Sequence, residues 1–249
     1  TLVAAEIERD PKASWCLPVV GETYDGFLND IGAFHLTLDD VKAAIADADA
    51  HPDGAVAEGN VGGGTGMVCH GFKGGIGTSS RRVETAGSIY TVGALVQANY
   101  GARDLVRLEG RPVGTMIDAE VTPLPTDPAV ADAGSIIVVI ATDAPLLADQ
   151  CKRLARRATV GLARVGGTGG NGSGDIFIAF STGNTVPLHA VEPTTVTTVP
   201  AVAMTSLFNA TAEAVEESIW NALCAAETMT GHRGRIVHAI PHDRLVALR

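Results

Sequence analysis

Apolar and polar positions along the chain fall into helical and strand-like stretches. In TLDDVKAAIADA (37–48), Val41, Ala44 and Ile45 recur at helical spacing behind Thr37, with Asp40 three residues on. That pattern predicts a helix opened by a capping box. SIYTVGALVQAN (88–99) and SIIVVIA (135–141) are near-continuous apolar runs, the first a buried strand or strand pair, the second a buried strand. A helix is predicted from near Pro145 to about Arg164, because proline suits a first turn. IFIAFS (176–181) predicts another strand. The last long helix, about 202–228, carries Val202, Leu207, Ala210, Ala214, Ile219 and Leu223 along its apolar stripe. Between these elements lie a glycine-rich stretch from Gly59 to Gly77, the loop VTPLPTDPAVAD (121–132), and a second glycine-rich turn, GGTGGNGSGD, just before the 176–181 strand. No internal repeat is visible. Helices covering sheets in this mixed order predict an α/β or α+β layered fold in a single domain.

Composition narrows the picture. Of 249 residues, 46% are hydrophobic and only 4% aromatic, so Ala, Val, Ile and Leu must build the core, with 29 glycines permitting close backbone approach. The formal net charge of −10 argues against nucleic acid as a partner, since phosphate binding needs a basic surface. Lys152, Arg153, Arg156 and Arg157 cluster along one helix flank and read as a solvated face. No apolar run approaches the roughly 20 residues that span a bilayer, and the first residues show no basic-then-apolar leader; a soluble, cytoplasmic protein is expected. Cys16, Cys69, Cys151 and Cys224 are widely spaced and form no CxxC pair, which fits buried free thiols in a reducing compartment.

Several chemistries are disfavoured by order and spacing. The first glycine-rich stretch contains neither G-x-G-x-x-G nor GK[ST]. The second does hold the dinucleotide pattern at Gly167, Gly169 and Gly172, but after a helix and before a strand, the reverse of the order that aims a helix N-terminus at pyrophosphate. The seven histidines are scattered, and His238 with His242 is interrupted by Pro241, so surface or satisfied core histidines are expected and no metal or cofactor. A nucleophile elbow is absent. What remains are small polar residues in glycine-rich settings: Ser135, Ser173 with Asp175, Asn99, and Tyr24. Each has a plain structural explanation, as a strand start or a turn cap. Ser135 has a physical case beyond that. If the Gly134–Ser135 bond breaks, one residue carries both a hydroxyl and an α-amine with a reference pKa near 8, which can activate it. Glycine before the serine tolerates the strained backbone of attack on its own preceding carbonyl.

GETYDGFLNDI, EGNVGGGTGMVCHGFKGGIGTSSR, YTVGALVQANYG, GSIIVVIATDAPLL, SGDIFIAFSTGN and AAETMTG, in this order over nearly the whole chain, resemble the autoproteolytic L-aminopeptidase/D-amino-acid esterase family. That family includes β-peptidyl aminopeptidases and nylon-oligomer hydrolases and is distantly akin to ornithine acetyltransferases. The resemblance implies an α-β-β-α sandwich and the mechanism of N-terminal nucleophile hydrolases. It implies a self-cut between Gly134 and Ser135, with both pieces retained in one catalytic unit and such heterodimers assembling into tetramers. Ser135 matches the nucleophile and Asn99 the side-chain oxyanion donor. Tyr24 matches a tyrosine lining the site, and Ser173 with Asp175 the pair that orients the nucleophile's amine. Lys73 matches a lysine near the site. The implied activity is that of a cofactor-free serine aminopeptidase or amidase acting on small peptides, amino-acid amides or esters through an acyl-enzyme. Acyl transfer to an amine acceptor, or a non-catalytic relative that binds small amines, are the alternatives. Two departures stand out: some β-peptide-cleaving relatives have Glu at the position of Asp175, and relatives carry a segment upstream of the position of Thr1 that contributes strands and pocket wall.

Overall fold

The computed structural model describes residues 18–125, 134–187 and 190–248. Cys16 and most of the expected proline-bearing loop lie outside the described residues. In chain order come α1 (Leu38–Ala50), the short strands β1 (Val68–Cys69) and β2 (Phe72–Lys73), and the long hairpin β3 (Gly75–Thr85) with β4 (Ser88–Asn99). They are followed by α2 (Val113–Met116), β5 (Ser135–Thr142), α3 (Ala148–Ala155), α4 (Ala158–Val165), β6 (Ile176–Ser181) and α5 (Met204–Ala225). β7 (Met229–Thr230), β8 (Ile236–Val237) and α6 (His242–Ala247) complete the described elements.

The central sheet has the order β3-β4-β5-β6; β5 runs antiparallel to β4 and parallel to β6. Pairing register assigns the two faces. Val92, Ala94, Val96 and Ala98 lie opposite Thr142, Ile140, Val138 and Ile136, and all eight are buried. This face packs under α5, whose Leu207, Ala210, Ala214, Ile219 and Leu223 are buried in the same core. Helix α4 packs on α5, and α3 on β6. On the opposite face Leu95, Val139 and Ile178 are half-buried, while Ile176 and Phe180 are about half exposed at 49% and 47%. The layering is the mixed helix-on-sheet arrangement that the sequence predicts.

Close contact between α5 and the sheet depends on glycine. A Cβ on Gly77 would strike the Ser218 carbonyl and come within 2.5 Å of the Ala222 nitrogen. The Ser218 hydroxyl reaches the Ala94 carbonyl at 3.2 Å and the Ala214 carbonyl at 2.7 Å. Helix backbone therefore lies directly against strand backbone, with no side chain between them.

The capped helix forms as expected: Thr37 Oγ1 accepts from Asp40 N–H at 3.4 Å, and Asp40 Oδ2 accepts from Thr37 N–H at 2.8 Å. None of its residues is buried, and Val41 and Ile45 are only half-buried. The stretch 88–99 is one strand. The helix expected from Pro145 is two helices, starting later: Leu147 stays extended, and its N–H is received by the Gln150 side chain at 3.0 Å. Pro145 instead offers its carbonyl to Val199 N–H. The break at Arg156–Arg157 lets α4 lay Gly161 on α5, where an added Cβ would lie 2.6 Å from the Ala212 carbonyl. The final helix begins at Met204; Val202, expected on its buried stripe, sits in a 3-10 turn and is 90% exposed. It ends at Ala225 because Ala226 is extended (φ −73°, ψ 141°). Cys69 and Cys151 are buried free thiols, but Cys224 is exposed, correcting the expectation for that residue. Of the basic flank, Lys152 and Arg156 are solvated, whereas Arg153 and Arg157 lie over the Phe208 ring at 5.3 and 4.2 Å. Among the described residues no helix is long and apolar enough to cross a membrane.

Gly77→Ala is expected to destabilise the protein by about 1–3 kcal/mol, as overpacking does. Gly93→Ala, on the same hairpin, has its nearest neighbour at 3.9 Å and should change stability by no more than about 0.5 kcal/mol. Urea midpoints of the two variants check this; equal losses would mean that helix contact does not decide the first.

Candidate active site

Three chain segments meet at one end of the sheet. β4 finishes at Asn99, β5 starts at Ser135, and these two residues are direct antiparallel partners, so their side chains share a face. β6 runs parallel to β5, with Ile176 opposite Ile137, which brings the preceding turn, Ser173–Gly174–Asp175, to the start of β5. Ser135 Oγ accepts a hydrogen bond from Gly174 N–H at 2.9 Å. Asp175 Oδ1 accepts from Ile136 N–H at 3.2 Å, one residue past the serine.

Asn99 is 4% exposed and held from two sides. Its Oδ1 accepts from Val68 N–H at 2.8 Å and its Nδ2 donates to the Tyr24 carbonyl at 2.9 Å. The carbonyl acceptor and the amide donor together fix which end of the carboxamide is nitrogen. One Nδ2–H has no partner among the described residues. Gly134 completes the junction. A Cβ there would collide with the Asn99 carbonyl and lie 2.7 Å from Tyr100 Cα, so only glycine fits against the end of β4.

Two small cavities flank this junction. One, of about 70 Å³, is lined by Gly134, Ser173, Asp175, Thr168 and Tyr100; the other is lined by Tyr24, Asn99, Phe27, Val68 and again Gly134. Ser135, Asn99, Tyr24, Ser173 and Asp175 are thus brought to one place. Tyr24 reaches Asn99 through its backbone carbonyl; its ring folds over Gly26, and the residue is 55% exposed.

Lys73 sits differently. It lines neither cavity, is fully buried, and donates from Nζ to the carbonyls of Gly64 (3.0 Å) and Gly74 (2.7 Å), tying the glycine-rich stretch together. Burial pushes its pKa down to about 8, opposed only by nearby Cys69. Cys69 is driven the other way by its own burial, up to about 12.

The Gly174 amide is a feature of the candidate site that residue types alone did not single out: the SGD triplet draws attention to its side chains, and the donor to Ser135 is backbone. His70 was also missed. It turns the β1–β2 hairpin at φ +52°, donates from Nδ1 to the Ala102 carbonyl (2.9 Å), and sets its ring edge-on to Tyr100. Burial holds its pKa near 4, so the ring is neutral at ordinary pH. Its Nε2 and the Tyr100 hydroxyl are buried without a partner among the described residues, so this core histidine is only half satisfied there. Among the described residues no group of three or more His, Cys, Asp or Glu could hold a metal ion.

A model of peptidase family S58 matches residues 1–237. The chain is 49% identical to the β-peptidyl aminopeptidase BapA of Sphingosinicella microcystinivorans over 245 residues, covering 94% of this chain and 61% of that protein. It spans about three-fifths of the length of the curated β-peptidyl aminopeptidases it matches. Among solved structures, a Burkholderia β-aminopeptidase superposes with a TM-score of 0.84 at 49% identity, covering 98% of this chain and 67% of that one. The L-aminopeptidase D-Ala-esterase/amidase of Ochrobactrum anthropi, a variant of the Ntn-hydrolase fold, superposes with a TM-score of 0.84 at 45% identity, covering 98% and 65%. These matches give the sheet and helices described above the fold of that enzyme.

Lys73 generates a pH signature. The folded protein releases the Lys73 proton near pH 8, while the unfolded chain holds it to about 10.5. The unfolded state binds more protons in that interval, so stability should rise with pH between about 8 and 10.5. Lys73→Met should abolish this rise, measured as the difference between the two proteins' urea-derived stabilities across the range. A pH-independent difference would show that the ammonium keeps its ordinary pKa.

Proposed function

The chain belongs to peptidase family S58, and from that membership we propose that it is a self-processing serine aminopeptidase. It acts on small peptides, amino-acid amides or esters bearing a free amine, through an acyl-enzyme on Ser135. The single observation that carries the reading is the meeting of Ser135, Asn99 and the Ser173–Asp175 turn at one sheet end.

In the first stage Ser135 Oγ attacks the Gly134 carbonyl carbon, the chain shifts from amide to ester, and water hydrolyses the ester. The products are a chain ending in the Gly134 carboxylate and one beginning with the Ser135 α-amine. The two pieces stay together, and such heterodimers associate into tetramers. In the second stage the free α-amine takes the hydroxyl proton as Oγ attacks the substrate's acyl carbon. Oxyanion charge develops where the unpaired Nδ2–H of Asn99 can reach it, and Tyr24 walls the same cavity. The Gly174 amide stabilises negative charge on Oγ while it acts as nucleophile or leaving group. Asp175, with Ser173, orients the new amine; its carboxylate already lies beside the first peptide group of β5. The leaving amine departs protonated, and water then releases the acyl group.

Intact mass under denaturing conditions tests the first stage: the unsubstituted protein should give two pieces, one beginning at Ser135, and Ser135→Ala a single uncut chain. Cleavage at the same place in Ser135→Ala would sink the proposal. Asn99→Ala should lower kcat by about 10²–10³ on a dipeptide substrate with little change in KM, the size expected for one oxyanion donor. Full activity in that variant would remove Asn99 from its role.

A further inference from the structure

Among the described residues, Arg103 is a buried cation with no anion beside it. It opens a 3-10 turn (Arg103–Leu105) shortly after β4 and is 9% exposed. Nε donates to the His70 carbonyl at 3.1 Å, Nη1 to that of Thr122 at 3.0 Å, and Nη2 to that of Gly71 at 2.5 Å. Cζ lies 3.5 Å from the centre of the Phe72 ring. Every one of these partners is neutral, and the burial of the uncompensated charge lowers its pKa to about 10. A guanidinium has five N–H donors, so these three bonds leave two. Buried charges are ordinarily paired, because leaving one unpaired costs more than most folds tolerate.

The unused donors have somewhere to point. Arg103 lines a cavity of about 350 Å³ together with Gly71, Gly101, Ala102, Leu124 and Asp104. Asp104 is exposed and makes no ion pair with Arg103 among the described residues. Gly101 and Ala102 also line the small cavity that holds Gly134, Ser173 and Asp175, so the two spaces share a wall. The larger one is at the low end of small-molecule pockets, with room for a short tail.

We propose that Arg103 receives the C-terminal carboxylate of the peptide whose acyl group passes to Ser135, making short peptide acids better substrates than the corresponding amides. This rests on Ser135 being the nucleophile. The planar guanidinium suits a carboxylate, which meets two N–H donors at once. Binding the leaving portion at its far end selects for charge at the C-terminus of a short peptide.

The test compares kcat/KM for a short peptide, its C-terminal amide, and a p-nitroanilide with no carboxylate, in the full-length protein and in Arg103→Gln. The acid should exceed the amide by about 10-fold or more in the unsubstituted protein, the size of a charged hydrogen bond. In Arg103→Gln the acid-to-amide ratio should fall to near one, whatever happens to the absolute rates, which separates carboxylate recognition from a general loss of structure. A ratio near or below one in the unsubstituted protein overturns the proposal without needing any variant, and p-nitroanilide turnover would then show that the Ser135 reading still stands. A high ratio that survives Arg103→Gln overturns it too. If none of the three substrates is turned over, the Ser135 reading fails and this inference falls with it.

Discussion

Strand β5 has two unlike neighbours, antiparallel β4 and parallel β6, and everything at the candidate site depends on that mixed pairing. An antiparallel partner must end where β5 begins. A parallel partner must begin there, and the turn that feeds it arrives at the same edge. One serine is therefore met by the last side chain of one strand and by the turn leading into another. A parallel pair cannot be joined by a tight turn; the 33 residues between β5 and β6 (143–175) include α3 and α4, which cover the sheet on their way back.

Much of this was legible in the sequence, for physical reasons that differ by element. The Val-Ile run of β5 is buried and hydrogen-bonded to both neighbours, so its composition reports its environment directly. Thr37 and Asp40 advertise α1 because a capping box is a local interaction that needs no tertiary partner. The apolar stripe of α5 was right from Leu207 to Leu223 and wrong at Val202, where the helix has not yet begun. The misplaced start at Pro145 and the unforeseen break at Arg156 share a cause. Both are set by what the helix packs on, Val199 in one case and α5 in the other, and periodicity carries no record of partners distant in sequence. The site divides similarly. Ser135, Asn99, Ser173 and Asp175 were named, but spacing alone did not raise any of them above a turn or strand end; the family resemblance did. The Gly174 amide and the unpaired charge of Arg103 are invisible at that level, because one is backbone and the other is defined by what surrounds it.

Backbone carbonyls do much of the electrostatic work in this protein. Lys73 is solvated by those of Gly64 and Gly74, and Arg103 by those of His70, Gly71 and Thr122. Glycine-rich segments make this possible, because backbone without side chains can crowd around a cation as water would. The glycines that first suggest a phosphate cradle thus offer their oxygens more than their amides. Gly174 differs in turning its N–H toward a side chain, the Ser135 hydroxyl.

The register between β4 and β5 carries one more implication. Side chains alternate across a strand, so a slip of a single residue would swing Ser135 from the face it shares with Asn99 into the helix-packed core and turn Ile136 outward. The same slip would drag Gly134 out of a niche that tolerates no Cβ. On the proposed reading, chemistry at Ser135 is thereby conditional on the sheet having paired in this register.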